Sequence, residues 1–103
     1  MKRFLFLTAL LLTAIDSHAA EIQVTIKSFA FGPETVTVPA GTKVTWTNKD
    51  NEPHTVVSNE QKFQSEALDT SDTFSVTFDK AGSYAYFCSL HPHMTGKVVV
   101  TER

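Results

Sequence analysis

An all-β sandwich or barrel is the fold class this sequence predicts, on three observations. Apolar and polar residues alternate with period two in run after run, no stretch carries the spacing of an amphipathic helix, and turn residues interrupt the chain at short intervals. Six to eight short strands separated in this way describe one small domain with one core.

The opening stretch is of another kind. In "MKRFLFLTALLLTAIDSHAA", Lys2 and Arg3 form a basic start, Phe4 to Ile15 an apolar run, and Ser17-His18-Ala19 a small-x-small cleavage site. This reads as a secretory signal over residues 1–19, which His18 leaves with. A membrane-spanning anchor needs about 20 predominantly apolar residues, and this run is shorter and ends at Asp16. Residues 20–103 then form the exported, periplasmic domain. Loss of Lys2, Arg3 and Asp16 takes Lys plus Arg from 9 to 7 and Asp plus Glu from 11 to 10, so the net charge moves from -2 to -3. With no basic run or arginine cluster, nucleic acid is not an expected partner. No second long apolar stretch predicts a membrane span.

Strand by strand, "EIQVTIKS" sets Ile22, Val24 and Ile26 on one face and Gln23, Thr25 and Lys27 on the other. "ETVTV" repeats the alternation with Val36 and Val38, "KVTWTN" with Val44 and Trp46, and "TFSVTF" with Phe74, Val76 and Phe78. "SYAYFC" carries Tyr84, Tyr86 and Cys88 on one face, and "KVVV" closes the pattern. Gly32-Pro33, Pro39-Ala40-Gly41, the polar "NKDNEP", Ala81-Gly82 and Thr95-Gly96 mark the turns. Ser58 to Asp72 is irregular and reads as a long loop with a weak edge strand or a short helical turn.

Cys88 is the only cysteine. In an oxidising compartment it has no internal disulfide partner. It is either a small buried hydrophobe or a thiolate held by a metal. His91 and Met94 follow it at steps of three, so that a short loop held by Pro92 can aim all three side chains at one point. His54, after "NEP", is the candidate for a fourth donor from another strand end. An antiparallel sandwich would bring it to the same rim. Thiolate, two imidazoles and a thioether together favour copper, in a trigonal Cys-His-His plane with a weak axial Met. Zinc would prefer a harder fourth donor or a thiolate to Met94, and haem attachment would need a second cysteine. His93 alternates outward.

"PHTV" and "YFCSLHPHMTGKVVV", with "FGPETVTVPAGTKVTWTN" upstream, resemble the cupredoxins over nearly all of residues 20–103. The Cys-x2-His-x2-Met loop is similar to that of the amicyanin and plastocyanin-like branch. The resemblance implies a Greek-key β-sandwich and one type 1 copper ion per chain, held by His54, Cys88, His91 and Met94. It implies a monomeric electron carrier that cycles Cu(II)/Cu(I) and is not an enzyme. Redox proteins would dock transiently at the His91 face, where Pro53, Leu90, Pro92 and His93 surround the ring.

Three positions depart from the branch. Thr55 faces Ser89 where an Asn usually clasps the two ligand loops, so a weaker clasp is expected, although the Thr55 amide can still donate to the Cys88 sulfur. Leu90 replaces a proline and restores an N–H for a second bond to that sulfur, which would raise the reduction potential. His93 replaces an aromatic on the docking rim. Rival readings are a copper oxidase or reductase, copper storage or delivery, and a metal-free interaction module. The first lacks histidines flanking Cys88, and the second lacks an exposed Met- or His-rich site.

Overall fold

The computed structural model describes residues 20–103, so the secretory-signal reading of residues 1–19 lies outside the described residues. Among the described residues eight strands appear: β1 (Glu21–Lys27), β2 (Ala30–Gly32), β3 (Thr35–Pro39), β4 (Thr42–Asn48), β5 (Val57–Ser58), β6 (Thr73–Phe78), β7 (Gly82–Phe87) and β8 (Thr95–Thr101). They form two four-stranded sheets, ordered β2-β1-β4-β6 and β3-β8-β7-β5. The all-β sandwich is thus observed. Among the described residues, no helix is long and apolar enough to cross a membrane. The irregular stretch after Ser58 contributes isolated bridges and no helical turn.

The sheets are not purely antiparallel, contrary to the expectation from sequence. β1 runs parallel to β4, and β3 parallel to β8. The cause lies in the route of the chain. After β1 and β2 in one sheet it crosses to the other for β3, then returns as β4, which therefore lies beside β1 pointing the same way. The crossing back is a tight turn at Gly41, whose φ of 97° is a left-handed conformation that disfavours a side chain. Its amide donates to the Phe78 carbonyl at 2.6 Å.

Alternation decides which face of each strand is buried. Val24 and Ile26 of β1, Val44 and Trp46 of β4, and Val98 and Val100 of β8 all enter the core. Central β4 shows no exposed position, since β1 and β6 flank it on either side. At the core's centre Trp46 meets Tyr86 edge to face, with centroids 5.3 Å apart, and Phe31 meets Tyr86 at 4.8 Å. Aromatic pairs of this geometry add to plain area burial. Gly96 on β8 lies against the Tyr86 ring so closely that a Cβ there would fall 2.7 Å from Cε1. Gly96 therefore makes room for Tyr86, and Tyr86 for the Trp46 contact.

The Tyr86 hydroxyl and the Trp46 indole N–H are both buried without a hydrogen-bond partner. Burial pushes the Tyr86 phenol up to about 12; the neighbouring Trp46 N–H opposes the rise without making a hydrogen bond, and the Glu34 carboxylate adds to it. In the unfolded chain this phenol loses its proton near pH ~10. Above that pH the unfolded state binds fewer protons than the folded one, so stability falls with rising pH until the folded phenol also titrates. The expected loss between pH 10 and 12 is about 2–3 kcal/mol. Urea unfolding of wild type and Tyr86→Phe across this range would show it as a slope that the variant lacks.

Candidate metal centre

Trp46 and Tyr86 face each other across the sandwich, and each strand runs on to its end at the same rim. β4 finishes at Asn48, and β7 leads into Cys88. Beyond β4 the chain folds back through Asp50 and His54 to reach β5, which pairs with β7 through Val57↔Phe87 and Ser58↔Tyr86. This pairing lays Thr55 beside Cys88. The loop from Cys88 to Met94 closes on itself: the Cys88 amide donates to the Met94 carbonyl at 3.1 Å, the Met94 amide to the His91 carbonyl at 2.9 Å, and the His91 amide to the Cys88 carbonyl at 3.2 Å.

His54, Cys88 and His91 lie together at this rim, and Met94 closes the loop through its backbone bonds to Cys88 and His91. Cys88 and His54 are fully buried and Met94 is nearly so, whereas His91 is half-buried. Cys88 Sγ stands 3.8 Å from His54 Nδ1, and the His54 and His91 ring centroids are 5.0 Å apart. Among the described residues, no three His, Cys, Asp or Glu side chains are already drawn into a metal-holding cage. The structure brings His54 and Cys88 into contact and sets His91 beside them. His93 is exposed, in keeping with its outward alternation.

Two hydrogen-bond systems hold this arrangement. In the first, the Thr55 amide donates to Cys88 Sγ at 3.3 Å, as the sequence suggested. The Thr55–Ser89 clasp is firmer than expected. Thr55 Oγ1 accepts the Ser89 amide at 2.7 Å, lies 2.8 Å from Ser89 Oγ, and stands 3.8 Å from the sulfur. A threonine can do this because β5 brings its short side chain directly over the start of the loop. The second bond expected from the Leu90 amide is not among the hydrogen bonds to the sulfur, which come from Thr55. The loop's turns aim the His91 amide at the Cys88 carbonyl and leave Leu90 at the surface, 48% exposed.

The second system was not legible in the sequence. Asp50 Oδ2 accepts from His54 Nε2 at 2.8 Å and from the Phe29 amide at 2.9 Å, while Oδ1 accepts the Ser28 amide at 2.6 Å. Burial alone would raise the Asp50 carboxyl, but the Phe29 and Ser28 amides and His54 outweigh it and hold it below its ordinary value. An ionised carboxylate can only accept. A His54 proton therefore sits on Nε2, and Nδ1 is the nitrogen that faces the Cys88 sulfur. Asp50 is itself held by fully buried Asn48, whose Oδ1 accepts the Asp50 amide at 2.9 Å. Asn48 Nδ2 donates to the carbonyls of Glu52 and Leu68 at 2.9 and 2.8 Å. The only sequence signal for Asp50 was its place four residues before His54, inside a run that reads as a solvated turn.

A cleft of ≈ 560 Å³ opens on the flank, lined by Glu34, Thr35, Asn59, Phe87 and Lys97 among others, and none of the four donors lines it. The candidate donors fit a soft one-electron metal: a buried sulfur that accepts a hydrogen bond, an imidazole nitrogen 3.8 Å from it, a second, half-buried imidazole beside them and a buried methionine on the same loop.

Comparison with known proteins agrees with this chemistry. The family model described as a cupredoxin-like domain matches residues 3–100. The chain is 37% identical over 92 residues to an amicyanin of Paracoccus versutus, covering 84% of this chain and 70% of that protein. It is also 37% identical over 102 residues to the chloroplastic plastocyanin of Tetradesmus obliquus, with the same coverage of 84% and 70%. Among solved structures, the copper-containing nitrite reductase NirK of Thermus scotoductus superposes with a TM-score of 0.79 at 26% identity; 91% of this chain is covered but 25% of that one. By sequence and by fold, this chain belongs to the cupredoxin-like domain family.

Proposed function

We propose that this protein is a type 1 copper electron carrier of the periplasm, exported by residues 1–19, with residues 20–103 as its copper-binding domain. His54, Cys88, His91 and Met94 would hold one copper ion per chain. The observation that carries the reading is the buried Cys88 sulfur, which accepts the Thr55 amide at 3.3 Å while facing His54 Nδ1 at 3.8 Å. When bound, copper would supply the one-electron Cu(II)/Cu(I) couple.

The chain's own residues set the conditions for that couple. The Thr55 amide stabilises negative charge on sulfur. Asp50 fixes the His54 tautomer, and the buried β-scaffold limits how far any donor moves between oxidation states. Half-buried His91 offers a ring edge to a partner, amid exposed Pro53, Leu90, Pro92 and His93. Such a small, weakly polar face suits the brief docking of redox proteins by a monomer. The NirK match covers a quarter of that enzyme. Here the residues flanking Cys88 are Phe87 and Ser89, which offer no histidine to a second copper, so a carrier is favoured over an enzyme.

Cupric titration of the copper-free protein tests this reading. The expected result is an intense visible thiolate-to-Cu(II) charge-transfer band at one equivalent, absent in Cys88→Ser. A wild type that stays colourless sinks the proposal. Copper storage or delivery is the second reading. The firm Thr55–Ser89 clasp weighs against it, and rapid transfer of the bound ion to a chelator would restore it.

A further inference from the structure

Phe29 is one of two exposed large hydrophobic residues in the described chain, 48% exposed, and it lies in the turn between β1 and β2. Its backbone is unusual. Ser28 and Phe29 have φ values of 53° and 58°, the left-handed region that a bulky side chain rarely enters. The turn is held there by Asp50, whose two oxygens accept both amides. The conformation sets the Phe29 ring against both rim imidazoles at once: 5.2 Å from His54 with planes at 89°, and 4.9 Å from His91 with planes at 87°. An exposed phenylalanine alone needs no explanation. One held in a disfavoured conformation by a carboxylate, and edge-to-face with two imidazoles, does.

We infer that Phe29 is a positioning residue, an aromatic brace that confines the His91 ring to one orientation beside His54. Of the four donors, His91 most needs one. It is half-buried and sits on a surface loop between exposed Leu90 and Pro92. His54 has its second nitrogen tied to Asp50, and Cys88 accepts from Thr55. Phe29 supplies the contact that limits rotation of the His91 imidazole. Asp50 then governs both rings, His54 through its Nε2–H and His91 through the turn that carries Phe29. The brace rests on the copper reading only for its use: a pre-set ring loses less freedom when a metal binds.

The test compares wild type, Phe29→Ala and Phe29→Tyr. In the copper-free proteins, NMR couplings and cross-relaxation report the His91 ring orientation. A single orientation touching residue 29 is expected in wild type and Phe29→Tyr, and rotational averaging in Phe29→Ala. In the copper-loaded proteins, transfer to a Cu(I) chelator is expected to be about five- to tenfold faster for Phe29→Ala, the effect of about one aromatic pair, and to be restored by Phe29→Tyr. Because the side chain is half exposed, circular dichroism should find all three equally folded. An unchanged His91 orientation in Phe29→Ala overturns the brace. Averaging with unchanged release overturns its link to the metal. A wild type that binds no copper removes the function proposed above, while the copper-free measurement still decides the brace.

Discussion

Stripping copper from this protein is expected to lower its melting temperature by about 20 °C. A ligand present at about a thousand times its Kd stabilises the folded state by ~4 kcal/mol. In a domain of this size each kcal/mol moves the melting point by about 4–8 °C. The effect is large because the domain is small. A chain this short buries only about 60% of the surface its unfolded form exposes, and here part of that interior is polar: His54, Cys88 and Asn48 are all fully buried. Without metal, the sulfur and His54 Nδ1 face each other at 3.8 Å with little to gain. With copper held as proposed above, both would become bonds. Calorimetry of the loaded and copper-free forms checks this, and Cys88→Ser should melt at one temperature whether or not copper is added. Equal melting points for loaded and copper-free wild type would contradict it.

Asn48→Ala is expected to cost about 3 kcal/mol, since one buried amide makes three bonds that hydrophobic packing cannot replace. Its Oδ1 takes the Asp50 amide, and its Nδ2 joins the Glu52 and Leu68 carbonyls. Leu68 in turn exchanges backbone bonds with His54 at 3.1 and 2.7 Å. Losing the amide therefore frees the segment that carries Asp50 and His54 as a unit, beyond the energy of the bonds themselves. Copper affinity should fall about tenfold as well, given ~1.4 kcal/mol of lost preorganisation. Urea unfolding and chelator competition measure the two effects. A variant within about 1 kcal/mol of wild type would show that the loop is held elsewhere.

Much of the fold could be read from the chain because alternation is a local signal. Val24 and Ile26, Val44 and Trp46, and Tyr86 and Cys88 all face inward, as the period of two requires. Alternation does not say which strand lies beside which. The parallel β1–β4 and β3–β8 pairs follow from where the chain crosses between sheets, a long-range choice. Strands of three and two residues, β2 and β5, are too short to carry a pattern. The candidate donors were proposed for a different reason: thiol, imidazole and thioether announce themselves by chemistry and spacing. Their supports did not. Asp50 and Asn48 belong to residue types that usually face water in such turns, and Phe29 looks like one more apolar residue until its left-handed backbone is seen. Thr55 was underrated because its worth depends on the register of β5 against β7.

That Thr55 hydroxyl has a consequence of its own. Its oxygen already receives the Ser89 amide, so its single hydrogen is free to swing between two acceptors, Ser89 Oγ at 2.8 Å and Cys88 Sγ at 3.8 Å. A carboxamide in its place would hold its hydrogens fixed in a plane, but a hydroxyl is a rotor. Were copper held there, a change of charge at the site could be met by a local dipole that reorients through the turn of one proton about a C–O bond. The polarity around the site can thus follow its charge with every heavy atom left in place.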